Sequence, residues 1–189
     1  MLSLTSELKA FAIKEGADLV GIAPVSRWGH APLEVSPLGI WPESKSVISI
    51  AVNLTDAGKE LCDVDDPQKA SLGAGTGIAW CRLDHVSHRI GKFLQRNGFE
   101  AMPVVCTSLW RYRPYKNVDN GNSFLPDISH IHAGVAAGLG EFGYSGLLIT
   151  PEFGPNVRLA TIITDAPLDP DPLYNGPALC DKCMNCVRE

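Results

Sequence analysis

Apolar residues recur at three- and four-residue intervals from Ser3 to Glu15, at Leu4, Leu8, Phe11 and Ala12, and Gly16 follows. That pattern predicts an amphipathic helix with a glycine stop. Asp18–Val25 is a short apolar run and Ser46–Leu54 a longer one rich in Val and Ile; both read as strands. Between them, Ser26–Ser44 carries Pro32, Pro37 and Pro42 and reads as loop. Thr55–Ala70 is polar and acidic, a surface excursion. The strongest helical period runs from Gly77 to Asn97, with Ala79, Leu83, Val86, Ile90 and Phe93 on one stripe and Gly98 beyond the end. Phe99–Thr107 reads as a strand, Leu109–Asp127 as a long loop and Ile131–Leu139 as a short Ala-rich helix. Gly146–Thr150 and Val157–Thr164 read as two strands of a hairpin turned at Pro151, Gly154 and Pro155.

Intermixed helices and strands with an antiparallel pair predict an α+β sandwich, a mixed sheet with flanking helices, rather than a doubly wound sheet. The boundary falls in the proline-rich stretch Pro167–Pro177. Residues 1–166 form the body, and 167–189 form a linker with a cysteine run. The 189 residues suffice for one full core.

The formal charge of −5 argues against a surface built to neutralise phosphates. No stretch approaches the roughly 20 apolar residues of a bilayer span. Met1–Gly16 has neither a signal peptide's apolar block nor twin arginines, so the expected location is the cytoplasm.

Cys62, Cys81 and Cys106 are scattered, whereas Cys180, Cys183 and Cys186 stand at C-x2-C-x2-C. In a reducing compartment that clustering indicates metal or redox chemistry. Two-residue gaps turn successive thiolates toward one centre, as in the bacterial iron–sulfur pattern C-x2-C-x2-C-x3-C-P. The fourth place would fall just past Glu189. The expectation is therefore a piece of a longer protein whose continuation completes two clusters. A zinc site or a tail of free thiols is the alternative, but structural zinc usually takes four protein ligands, and Asp181 and Glu189 make no usual set with three thiols.

The segment His130–Pro155 is rich in glycine, with Gly138, Gly140, Gly143 and Gly146. It is G-x-G-x-x-G by count, but it follows a helix and precedes a strand, the wrong order for a dinucleotide fingerprint. Nor does a Gly-Lys-Ser/Thr follow, as a P-loop requires. By themselves these glycines read as turn and packing residues.

The combination is more specific. Ala137–Gly143 (A-G-L-G-E-F-G), then Leu147–Pro155 (L-L-I-T-P-E-F-G-P), then Val157–Asp165 (V-R-L-A-T-I-I-T-D), a proline linker and C-x2-C-x2-C, resembles the epoxyqueuosine reductase and reductive dehalogenase superfamily over Ile131–Cys186. The resemblance implies a nitroreductase-like cobalamin-binding domain followed by a ferredoxin-like module. That module would carry two 4Fe–4S clusters and feed electrons to cobalt for reductive removal of oxygen or halogen. It implies that Gly138, Leu139, Gly140, Gly143, Gly146, Leu147, Leu148, Ile149 and Thr150 lie against the corrinoid, and that Cys180, Cys183 and Cys186 ligate iron. It further implies an external electron donor such as ferredoxin or flavodoxin, and it allows a tRNA substrate. A corrin needs an apolar cleft for its face and backbone groups for its rim, which glycines supply.

The sequence departs from the family at Tyr144, where relatives carry Lys or Arg. Nor does any residue match the acidic proton donor of the epoxyqueuosine branch, although Asp127 stands nearby at a different spacing. The competing readings are a flavin reductase on a similar fold and a non-catalytic module that handles corrinoid or transfers electrons.

Trp110–Lys116 interleaves aromatic and basic residues, and Tyr112 and Tyr115 are candidate proton donors there. His132 is a third candidate, as proton donor or metal ligand, with a hydrogen-bonded structural histidine at a helix start as the alternative; His130 and His132 face one way only if their segment is extended. Cys81, His85 and His88 share a helix face that reads as solvated. Trp28, His30 and Trp41 read as loop and packing residues.

Overall fold

A computed structural model of the chain describes residues 3–56, 75–106 and 128–188. Residues 57–70 of the acidic excursion and the whole predicted loop 109–127, with Tyr112, Tyr115 and Asp127, lie outside them.

Helix α1 spans Leu4–Glu15. The Ser3 hydroxyl caps it by accepting from Ser6 N, and Gly16 ends it at φ 112°, a left-handed angle that suits glycine. Strand β1 is Leu19–Pro24. The predicted loop after it holds two 3₁₀ turns and the short helix α2, Pro37–Ile40, capped by Ser36. Strand β2 is Ser46–Asn53, helix α3 is Gly75–Arg96 and strand β3 is Ala101–Val104. Helix α4 follows at His130–Ala136, then β4 at Glu141–Phe142, β5 at Leu148–Ile149, β6 at Val157–Thr164 and α5 at Asn185–Arg188.

Four strands form one sheet in the order β1-β2-β6-β3, and every pairing is antiparallel. The fold is therefore mixed α/β as expected, but the predicted mixed sheet is antiparallel at each described pairing. The predicted hairpin is also replaced. β6 is apolar on both faces and takes a central place between β2 and β3, whereas β5 pairs with β4 in a separate two-stranded ribbon. The turn between β5 and β6 closes on itself through a Thr150–Gly154 bridge.

Alternation along β2 and β6 supplies two cores, because successive side chains point to opposite faces. Ile48, Ile50, Val52, Ala160 and Ile162 pack beneath α1 and α3, where Leu8, Leu83, Val86, Ile90 and Leu94 are fully buried. Val47, Ala51, Val157 and Ile163 pack on the other face against Ala133 of α4 and Ala137 at its C-cap, with Leu148 and Trp28. Gly21 lets α4 approach β1; a Cβ there would collide with the Ala137 carbonyl. Bidentate bonds from Arg89 to Glu15, at 2.9 and 3.0 Å, tie α3 to α1.

The proline-rich stretch is strapped to this body. Asp171 exchanges bonds with Ile22, its amide donating to Ile22 O and its carboxylate accepting from Ile22 N, while Lys9 pairs with the same carboxylate. Arg27 donates to the Asp171 and Ala136 carbonyls. Ala166 and Leu168 are buried in the helical-face core, so the core runs past residue 166.

Candidate functional site

Among the described residues, β3 pairs with β6 as far as Val104, opposite Thr161, and a notch lies beside the first half of β6. The notch holds a cleft of about 150 Å³ lined by Trp80, Cys106, His130, Leu147, Leu148 and Arg158, among others. Each wall comes from a different element, so only the folded chain assembles it.

His130, the first residue of α4, is held at both ring nitrogens. Nε2 lies 3.0 Å from Val105 O and Nδ1 2.8 Å from Thr161 Oγ1. A carbonyl only accepts, so the Nε2 proton points to Val105 and Nδ1 accepts from the threonine hydroxyl. Burial pushes the His130 pKa below the ordinary 6.5, partly opposed by the Val105 carbonyl and Asp84. Cys106 lies beside it. Its amide donates to Asp84 Oδ1 at 3.0 Å and its thiol to Trp80 O at 3.1 Å. Burial, then the Asp84 carboxylate, pushes that thiol up to about 12, so it is no nucleophile at neutral pH.

Arg158 carries the cleft's positive charge. Its Nε is buried and has no hydrogen-bond partner among the described residues. A lone arginine inside the apolar strand Val157–Thr164 was the sequence signal for it, since such a residue is seldom buried unpaired.

The glycine segment borders the cleft on one side and the cysteine run on the other. Gly138 (φ 77°) is the left-handed cap of α4: Leu139 N donates to Gly134 O and Gly138 N to Val135 O, the paired bonds of a Schellman end. A Cβ on Gly138 would meet the Pro172 carbonyl, and one on Gly140 the Ile149 carbonyl. Gly143 packs on the Ile149 side chain. Among the described residues, nothing lies within 4 Å of a Cβ built on Gly146 (φ 75°). Leu139 and Leu148 are buried, and Thr150 is buried with its hydroxyl donating to Gly154 O and accepting from Phe153 N. Phe142, Tyr144 and Leu147 are exposed apolar or aromatic residues on the same segment.

Because their segment is helical, His130 and His132 part ways. His132 is exposed, its Nδ1 lies 2.8 Å from Ser129 Oγ, and its ring meets Phe142 edge-on at 4.8 Å. It does not line the cleft. Cys81, His85 and His88 are exposed, whereas Trp28 is buried and Trp41 is packed against the core.

Cys180 is half-buried, and Cys183 and Cys186 are exposed; all three are free thiols. Left-handed backbone at Lys182 and Met184 turns the chain between them. The donor set suits a thiophilic centre, yet among the described residues no group of three or more His, Cys, Asp or Glu is placed to hold a metal. One contact in this region lay outside the sequence reading: Glu141 Oε1 accepts from Leu179 N at 2.7 Å and Cys180 N at 3.0 Å.

No protein-family profile matches the chain. Tetrachloroethene reductive dehalogenase of Sulfurospirillum multivorans is 30% identical, over 100% of this chain and 40% of its own length. Epoxyqueuosine reductase of Listeria monocytogenes is 41% identical over 33% of this chain and 16% of its own. The homologues of this chain are reductive dehalogenases and epoxyqueuosine reductase, and it is a partial match to both. Solved structures share the fold. A reductive dehalogenase described with a mechanism for B12-dependent dehalogenation aligns at TM-score 0.70 and 22% identity, over 96% of this chain and 24% of that one. Epoxyqueuosine reductase from Streptococcus thermophilus aligns at 0.64 and 17%, over 99% and 52%. The chain thus spans less than half the length of the curated relatives it matches. Among the described residues, no helix is long and apolar enough to cross a membrane.

Proposed function

We propose that this chain is the corrinoid-binding portion of a cobalamin-dependent iron–sulfur reductase that removes oxygen or halogen from its substrate. The homologues support a reductase. The observation that carries the finer reading is that one segment, residues 138–150, reaches both the cleft, through Leu147 and Leu148, and the cysteine run, through Glu141. A cofactor resting on that segment would lie between the substrate space and the electron entry.

The exposed Tyr144, Leu147 and open Gly146 suit an apolar-faced macrocycle. Gly138, Leu139, Gly140, Gly143, Leu148, Ile149 and Thr150 would complete the segment that holds it. Cobalamin, when bound, supplies a reducible cobalt centre. Cys180, Cys183 and Cys186 would contribute three thiolates to an iron–sulfur cluster, whose chemistry is single-electron transfer. Electrons would come from a soluble carrier such as ferredoxin or flavodoxin.

The chain's own residues do the rest. Arg158 holds negative charge in the cleft. His130, neutral and pinned at both nitrogens, fixes the cleft wall. A proton would come from Tyr112 or Tyr115, since His132 does not line the cleft. The net charge of −5 counts against a nucleic-acid substrate, and a halogenated or oxygenated small molecule fits the small cleft better.

Titration of the purified protein into cob(II)alamin, followed by electron paramagnetic resonance, tests the reading. A base-off spectrum at stoichiometric protein is expected. An unchanged free-cobalamin spectrum, with bound flavin absorption on the protein, would replace it with a flavin reductase.

A further inference from the structure

We infer that Glu141 is a positioning residue that holds the first cysteine of the metal-binding run in register on the glycine segment. The inference rests on the iron–sulfur reading of Cys180, Cys183 and Cys186.

Glu141 sits on β4, opposite Ile149 of β5, and that ladder is made by backbone. Its side chain is therefore spare for another task. One carboxylate oxygen accepts from two successive amides, Leu179 at 2.7 Å and Cys180 at 3.0 Å. Bonds from amides to a carboxylate are charge-assisted and stronger than neutral ones. Nearby backbone adds a second attachment, where Gly138 packs on the Pro172 carbonyl. Between the two, the Tyr174 hydroxyl donates to Pro177 O at 2.8 Å and closes the intervening stretch on itself. Residues 172–180 are thus fixed at both ends along the glycine segment. Beyond Cys180 the run makes only local bonds among the described residues, from Cys183 N to Asp181 Oδ1 and from Val187 N to Met184 O. Cys180 is the half-buried thiol of the three, and the other two are exposed. A multi-thiolate site forms more readily when one ligand is already placed, because less chain entropy remains to be lost on binding.

The test compares the chain with Glu141→Ala and Glu141→Gln. Glutamine keeps an acceptor oxygen and should rescue; alanine keeps none. Hydrogen exchange at Leu179 and Cys180 is expected to quicken by about tenfold or more in the alanine variant, with the glutamine variant between. Amides of β2 and β6 should not change, which separates this effect from unfolding. The second readout is iron bound after anaerobic reconstitution with ferrous iron and sulfide. Uptake should fall in Glu141→Ala and recover in Glu141→Gln.

Unchanged exchange at Leu179 and Cys180 overturns the inference. So does faster exchange with iron uptake equal to that of the parent chain. If the parent chain itself takes up no iron while exchange quickens in the alanine variant, the clamp stands and the iron–sulfur reading falls.

Discussion

His130 joins three elements through two ring nitrogens, to Val105 beyond β3 and to Thr161 in β6, from the first turn of α4. Its neutral form fits that arrangement, because Nδ1 must accept. Burial lowers its pKa from 6.5, so above that value both folded and unfolded chains hold it neutral and stability is fully present. As pH falls below 6.5, the unfolded state binds a proton first and stability drains away until the folded value is passed. Urea unfolding at a series of pH values should show this loss, at most about 1.4 kcal/mol per pH unit from this group. His130→Gln should flatten that limb. An equally steep limb in the variant would assign the effect to carboxylates instead. Arg158 and Cys106 belong to the same scale. Both were visible as residue types, but no local pattern seats either beside His130.

At the scale of elements, the glycine segment is a helix cap, a two-stranded ribbon and a tight turn in succession. Gly140 tolerates no Cβ because the Ile149 carbonyl stands in its place, whereas Gly146 has room but a left-handed φ of 75°. Gly140→Ala should therefore cost about 1–3 kcal/mol from steric displacement of backbone. Gly146→Ala should cost about 1 kcal/mol from the dihedral alone. Denaturant midpoints of the two variants check the ranking, and equal or reversed losses would refute the packing account of Gly140. The helices α1 and α3 were legible in the sequence because their stripes and caps are local. The pairing of β5 with β4 was not. Two apolar runs joined by a Pro-Gly turn look like a hairpin whatever their final partners are.

For the molecule as a whole, the strap over β1 decides where the body ends. A proline-rich stretch reads as a linker, since its composition signals only the absence of regular structure. Here Asp171 completes the edge of β1 through Ile22, and Leu168 enters the core. Asp171→Ala would leave the Ile22 amide without its carboxylate partner, at a cost of about 1–3 kcal/mol. Thermal unfolding should record that loss, and limited proteolysis should cut between residues 167 and 177 faster than in the parent chain. Unaltered cleavage there would mean that the strap is held by its apolar contacts alone.

The sequence by itself determined the local periods, the helix stop at Gly16, the apolar strands and the thiol spacing, because each depends on neighbours a few residues apart. It also carried enough of the segment from Ile131 to Cys186 to point to the reductase families. Only tertiary structure decided the antiparallel strand order, the central place of β6 and the cleft beside its first half. The same holds for the Glu141 contact across 39 residues. Those features depend on which apolar faces and unpaired backbone groups find one another when the chain closes, and no local pattern encodes that choice.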